Sequence, residues 1–150
     1  MKKYYEDLIN YDRQIYTVLA NTSAFIKQNY QNLNWVGFYL TDKKFPNTLF
    51  LASFQGKVAC TEIPFPKGVC GLAATKNETI IFNDVNEYKD HIVCDSDSKS
   101  EMVIPVNVNN QLFAVLDIDA PILNRFDQQI KEEIQNIVKI LEAKITQLLN

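Results

Sequence analysis

The chain predicts an α+β domain in which an antiparallel sheet packs against a helix from each end of the sequence. Three observations predict it. Apolar residues recur near the helical period at both ends, and the middle is built of short runs rich in aromatic and β-branched residues. The 4 Gly and 5 Pro all fall between Gly37 and Pro121, so neither end carries a breaker. At 150 residues, one domain over the whole chain, 1–150, is expected. A chain of that length buries roughly 70% of its unfolded surface and needs no staples.

Taken in order, Leu8, Tyr11, Ile15, Val18, Leu19, Phe25 and Ile26 mark a first helix. Residues 35–41, 49–54 and 58–63 read as strands, the last two joined by a turn at Gln55-Gly56. Residues 64–68 (PFPKG) stop the chain, and 69–76 read as a short helix. A brief strand follows at 79–82, and Asp84 is placed to cap the next turn. Residues 90–99 are polar and irregular, a loop long enough to act as a lid. Residues 101–106 and 112–119 form a hairpin around Asn109-Asn110, because Asn tolerates positive φ. In the last helix Phe126, Ile130, Ile134, Ile137, Leu141, Ile145 and Leu148 make the packing stripe. Asp127 stands where its charge suits the N-terminus.

Strand side chains alternate between the two faces of a sheet. Val36, Phe38 and Leu40 share one face; Met102, Ile104 and Val106 share another apolar set, as do Leu112, Ala114, Leu116 and Ile118. These faces suit the terminal helices. The opposite faces carry Trp35, Gly37 and Tyr39, then Glu101, Val103 and Pro105, then Phe113, Val115, Asp117 and Asp119. Trp35, Phe113 and Val115 do not belong on open water, and two Asp separated by one residue invite a cationic ligand. The expectation is a pocket with apolar walls in which Trp35, Tyr39, Glu101, Asp117 and Asp119 converge.

Composition narrows the function. Fifteen Lys and Arg against eighteen Asp and Glu give a net charge of −3, with no clustered basic footprint for nucleic acid or an anionic membrane. No apolar run approaches the roughly 18 residues a membrane span needs. Residues 1–7 (MKKYYED) put acids where a signal peptide has its apolar segment. Three cysteines exclude a fully paired secreted framework, and a cytoplasmic protein is expected. Cys60 ends a strand, Cys70 lies in the opening turn of the short helix, where a thiolate is favoured, and Cys94 sits in the polar loop. A zinc site of Cys60, Cys70, Cys94 and His91 is an alternative use of the same residues, although no short Cys-x-x-Cys knuckle is present. His91 alone reads as a surface or satisfied core histidine.

Residues 34–39 (NWVGFY), 54–60 (FQGKVAC), 68–71 (GVCG), 91–95 (HIVCD), Ser100-Glu101, 115–121 (VLDIDAP) and 125–127 (RFD) resemble the free methionine-(R)-sulfoxide reductases, a family built on a single GAF domain. The resemblance runs in order over nearly the whole chain and includes all three cysteines. It implies thiol-dependent reduction of free L-methionine (R)-sulfoxide. By resemblance Cys94 is the nucleophile and Cys60 its resolving partner, with Cys70 a second candidate for either role. Glu101, Asp117 and Asp119 match the family's pocket carboxylates, and Trp35 and Tyr39 its aromatic wall. The implied partners are the free sulfoxide and a thioredoxin-like dithiol reductant, without nucleic acid or membrane, and a homodimer is compatible with them. No cofactor or metal is implied, and residues 68–71 carry no dinucleotide fingerprint. A non-catalytic small-ligand sensor would keep the pocket without needing three cysteines. A thiol redox switch would need the cysteines without the carboxylates.

Overall fold

The computed structural model describes residues 1–92 and 94–150; Val93, within the expected polar loop, lies outside the described residues. Four helices, α1 (Lys2–Ile9), α2 (Ile15–Asn29), α3 (Gly68–Lys76) and α4 (Gln128–Leu149), surround one sheet. Its strands are β1 (Trp35–Asp42), β2 (Phe45–Gln55), β3 (Glu62–Pro64), β4 (Ile80–Phe82), β5 (Ser100–Val108) and β6 (Gln111–Ala120), in the order β3-β2-β1-β6-β5-β4. Every neighbouring pair in that order is antiparallel, with register shifts between β1 and β2 and between β5 and β6. No described helix is long and apolar enough to cross a membrane.

The terminal helices share one face of the sheet, as the two apolar periods require. Ile134, Ile137, Leu141 and Ile145 of α4 and Val18, Leu19 and Ile26 of α2 pack with Val36, Phe38, Met102, Ile104, Leu116 and Ile118. Each such side chain contributes about 1.5–3 kcal/mol of burial. Asp127 Oδ1 accepts from the Ile130 amide at 3.0 Å and starts α4. Asp84 Oδ1 likewise accepts from the Asn86 amide. At the β5–β6 turn Asn109 and Asn110 hold φ of 54° and 62°, the primed-turn geometry that matches strand twist.

Three expectations are corrected. The first helix is two: α1 ends at Ile9 and α2 begins at Ile15. The buried Tyr5 hydroxyl meets Thr22 Oγ1 at 2.6 Å, whereas 17 residues of continuous helix would separate them by about 25 Å. The strand expected over 58–63 shrinks to β3, and Cys60 lies in irregular chain before it. Side chains have claimed the backbone there: Tyr39 OH donates to the Cys60 carbonyl at 2.9 Å and Trp35 Nε1 to the Lys57 carbonyl at 3.0 Å. Finally, Val106 pairs with Ala114 but Asn107 with Leu112, so Phe113 is an extra residue on β6. That bulge reverses the alternation. Phe113 turns to the helix side and Leu112 to the opposite face.

Candidate active site

The face away from the terminal helices is closed by α3 and the loops carrying the cysteines. Register aligns its side chains in rows. Trp35 pairs with Asp119 and Asp119 with Glu101; one step on, Gly37 pairs with Asp117 and Asp117 with Val103. Trp35, Tyr39, Glu101, Asp117 and Asp119 therefore line one pocket, as alternation predicts. Trp35 is stacked between Phe54 and Tyr39, with ring centroids 5.2 and 6.0 Å apart. Gly37 makes this possible: a Cβ there would stand 2.6 Å from the Trp35 ring and 2.3 Å from Phe54 Cβ.

The three carboxyl groups are buried, at 6%, 6% and 8% exposure for Glu101, Asp117 and Asp119. Burial pushes each well above the usual carboxylate range, and repulsion between neighbours adds to it. As a coupled cluster they favour their acid forms. Asp117 Oδ1 is buried and has no hydrogen-bond partner. Among the lining residues only His91 can carry positive charge. Its Nε2 stands 3.4 Å from Glu101 Oε1, and burial lowers its pKa. Both shifts oppose an ion pair between them. His91 is a largely buried histidine of the pocket wall, in contact with Glu101.

Cys60 and Cys94 are joined by a disulfide, with Cα atoms 5.4 Å apart. The bridge removes both sulfurs as metal ligands, which overturns the zinc set of Cys60, Cys70, Cys94 and His91. Cys70 is a free, buried thiol. Burial, then the charges of Asp117, Glu101 and Asp119, push its pKa up. The position near the start of α3 does not make it a thiolate, because desolvation and three acids oppose the helix dipole.

The loop bearing Cys94 is tied down at several points. Asn34 Nδ2 donates to Asp95 Oδ2 at 3.0 Å and to Ser98 Oγ at 3.1 Å. Lys57, three residues before Cys60, pairs with Asp97, three after Cys94, at 2.7 Å. Asn34, Phe54 and Lys57 were not singled out as site residues from the sequence, although all three fall within the segments 34–39 and 54–60 that carry the resemblance, while His91 was weighed only as a zinc ligand. The space left inside is about 30 Å³, room for one or two waters.

Fold and pocket together define a GAF-type small-molecule domain whose site combines paired cysteines with carboxyl groups. The GAF domain model matches residues 13–143. The free methionine-R-sulfoxide reductase of Escherichia coli (strain K12) is 43% identical over 124 residues, 83% of this chain and 73% of that protein. The reduced fRMsr of Staphylococcus aureus superposes with a TM-score of 0.90 at 45% identity, covering 95% of this chain and 91% of that one. The free methionine-R-sulfoxide reductase of Neisseria meningitidis, solved in complex with its substrate, superposes with a TM-score of 0.92 at 38% identity, covering 98% and 86%. The chain belongs to the GAF family and, within it, to the free methionine-R-sulfoxide reductases.

Proposed function

We propose that the chain reduces free L-methionine (R)-sulfoxide to methionine with its own thiols. One observation carries the reading: the Cys60–Cys94 bridge lies against a pocket lined by three buried carboxyl groups and a tryptophan wall. Cys94 Sγ attacks the sulfoxide sulfur while Glu101 and Asp119 hydrogen-bond or protonate the oxygen. Methionine leaves, and the oxygen remains on Cys94 as a sulfenic acid. The Cys60 thiol condenses with it, releasing water and forming the bridge. In sum, two thiols and one sulfoxide give a disulfide, a sulfide and water. Asp117 receives the substrate ammonium, and Trp35 and Tyr39 receive the methyl end.

A thioredoxin-like dithiol reopens the bridge by exchange. Such recycling suits a reducing cytoplasm, where the odd third cysteine also stays free. The same chemistry works in a monomer or a homodimer. Cys70 is a buried free thiol outside the bridge, and this reading gives it neither the nucleophile nor the resolving role.

The test is turnover of separated R and S free methionine sulfoxide, and of the N-acetylated R form, with dithiothreitol and with thioredoxin. The free R form should be consumed and the others nearly ignored. Equal rates on the N-acetylated sulfoxide, which lacks the ammonium, would overturn the assignment.

A further inference from the structure

Cys70 is a buried nucleophile that the proposed reaction does not use. One ligand atom each from Cys70, Glu101 and Asp117 lie within 4.8 Å of one another. They come from three elements, α3, β5 and β6. Asp117 brings a buried oxygen without a partner. The free volume of about 30 Å³ admits an ion. No Lys or Arg lines the pocket, so an entering cation is what would balance the charge these groups acquire on losing their protons.

We propose that, with the Cys60–Cys94 bridge closed, the pocket floor binds one divalent transition-metal ion of the zinc class through Cys70, Glu101 and Asp117. One sulfur and two carboxylates are a borderline-soft donor set, unlike the all-oxygen cages of calcium or magnesium, and three protein ligands leave the fourth position to water. The thiol and both carboxyls give up protons to solvent as the ion enters. The ion ties α3 to β5 and β6, so the oxidised chain becomes a metal-held resting form. The same carboxyls receive the sulfoxide in the reading above, on which this consequence rests; the metal site itself does not.

The experiment uses oxidised, metal-free protein, its bridge verified by mass spectrometry, so that neither Cys60 nor Cys94 can ligate. Dialysis against ZnCl₂ should load one ion per chain and raise the melting temperature. CoCl₂ should produce a near-ultraviolet thiolate charge-transfer band. Cys70→Ser should abolish that band, and both it and Asp117→Asn should weaken zinc binding roughly tenfold or more, with metal-free melting temperatures showing that both variants fold. No uptake at about 100 μM ZnCl₂, or equal uptake by wild type and both variants, would overturn the proposal. Because no sulfoxide is present, failure here leaves the reductase reading standing. A chain that binds zinc but reduces no sulfoxide would sink only the latter.

Discussion

Burial and mutual repulsion raise the pKa values of Glu101, Asp117 and Asp119 well above the usual carboxylate range, which sets the sign of their pH dependence. Unfolded, such groups ionise near pH 4. Their neutral forms favour the fold fully below that value, and the contribution is lost as pH rises through the elevated native pKa values. Wild-type stability should therefore fall from about pH 5 towards 8, and fall less in Asp117→Asn. At neutral pH that amide should melt no lower than wild type, with a gain of up to about 0.5–2 kcal/mol. Activity should move the other way. Asp119→Asn and Glu101→Gln should lower kcat by 10²–10⁴-fold, the usual cost of a lost general acid, whereas Asp117→Asn should mainly raise KM. Thermal melts across pH, paired with steady-state kinetics, check both halves. The cysteines separate more sharply. In single turnover Cys94→Ser should release no methionine, and Cys60→Ser about one equivalent before stalling as a trappable sulfenic acid.

Strand β1 places the aromatic wall, and its Gly37 is the position that permits it. A methyl group there would collide with the Trp35 ring and with Phe54 Cβ on the paired strand β2. Gly37→Ala should cost about 1–3 kcal/mol, as overpacking does, and should lower kcat/KM by displacing Trp35. Denaturant melts and kinetics read the two effects together. The cysteine loops are the second case. Lys57 and Asp97 join them across the bridge, but both side chains are largely solvent-exposed, so their pairing is a modest, salt-sensitive guide. Lys57→Ala should slow closure of the bridge a few-fold without changing methionine release in single turnover. The swap Lys57→Asp with Asp97→Lys should restore it. Stopped-flow at low and high salt distinguishes this from a general loosening of the loop.

For the molecule as a whole, the bridge closes a segment with a separation of 34 residues. In the chain-entropy model a loop that long adds about 4 kcal/mol to the oxidised form. Reduction should then lower the melting temperature by on the order of 10 °C for a domain of this size. Calorimetry with and without a dithiol measures the difference. A negligible shift would mean that the reduced chain keeps the same restraint through its loop contacts, beginning with Asn34 to Asp95 and Ser98.

Local periodicity was enough to read α4 and the two faces of β1, β5 and most of β6, because a helix or strand repeats its burial over a few residues. Alternation alone therefore brought Trp35, Tyr39, Glu101, Asp117 and Asp119 to one pocket. The break between α1 and α2 was not legible, since it is enforced by Tyr5 meeting Thr22. Nor was the β6 bulge, where one unpaired residue sends Phe113 to the other side. The resemblance named Cys60 as partner to Cys94, but spacing could not separate it from Cys70. Tertiary structure distinguishes them: Cys60 sits on a loop held over the pocket by Trp35 and Tyr39, while α3 buries Cys70 among the acids. His91 likewise became a pocket residue only when the chain after α3 folded back towards β5. Periodicity reports which face a residue takes, but proximity between distant segments exists only after the sheet and its loops have packed.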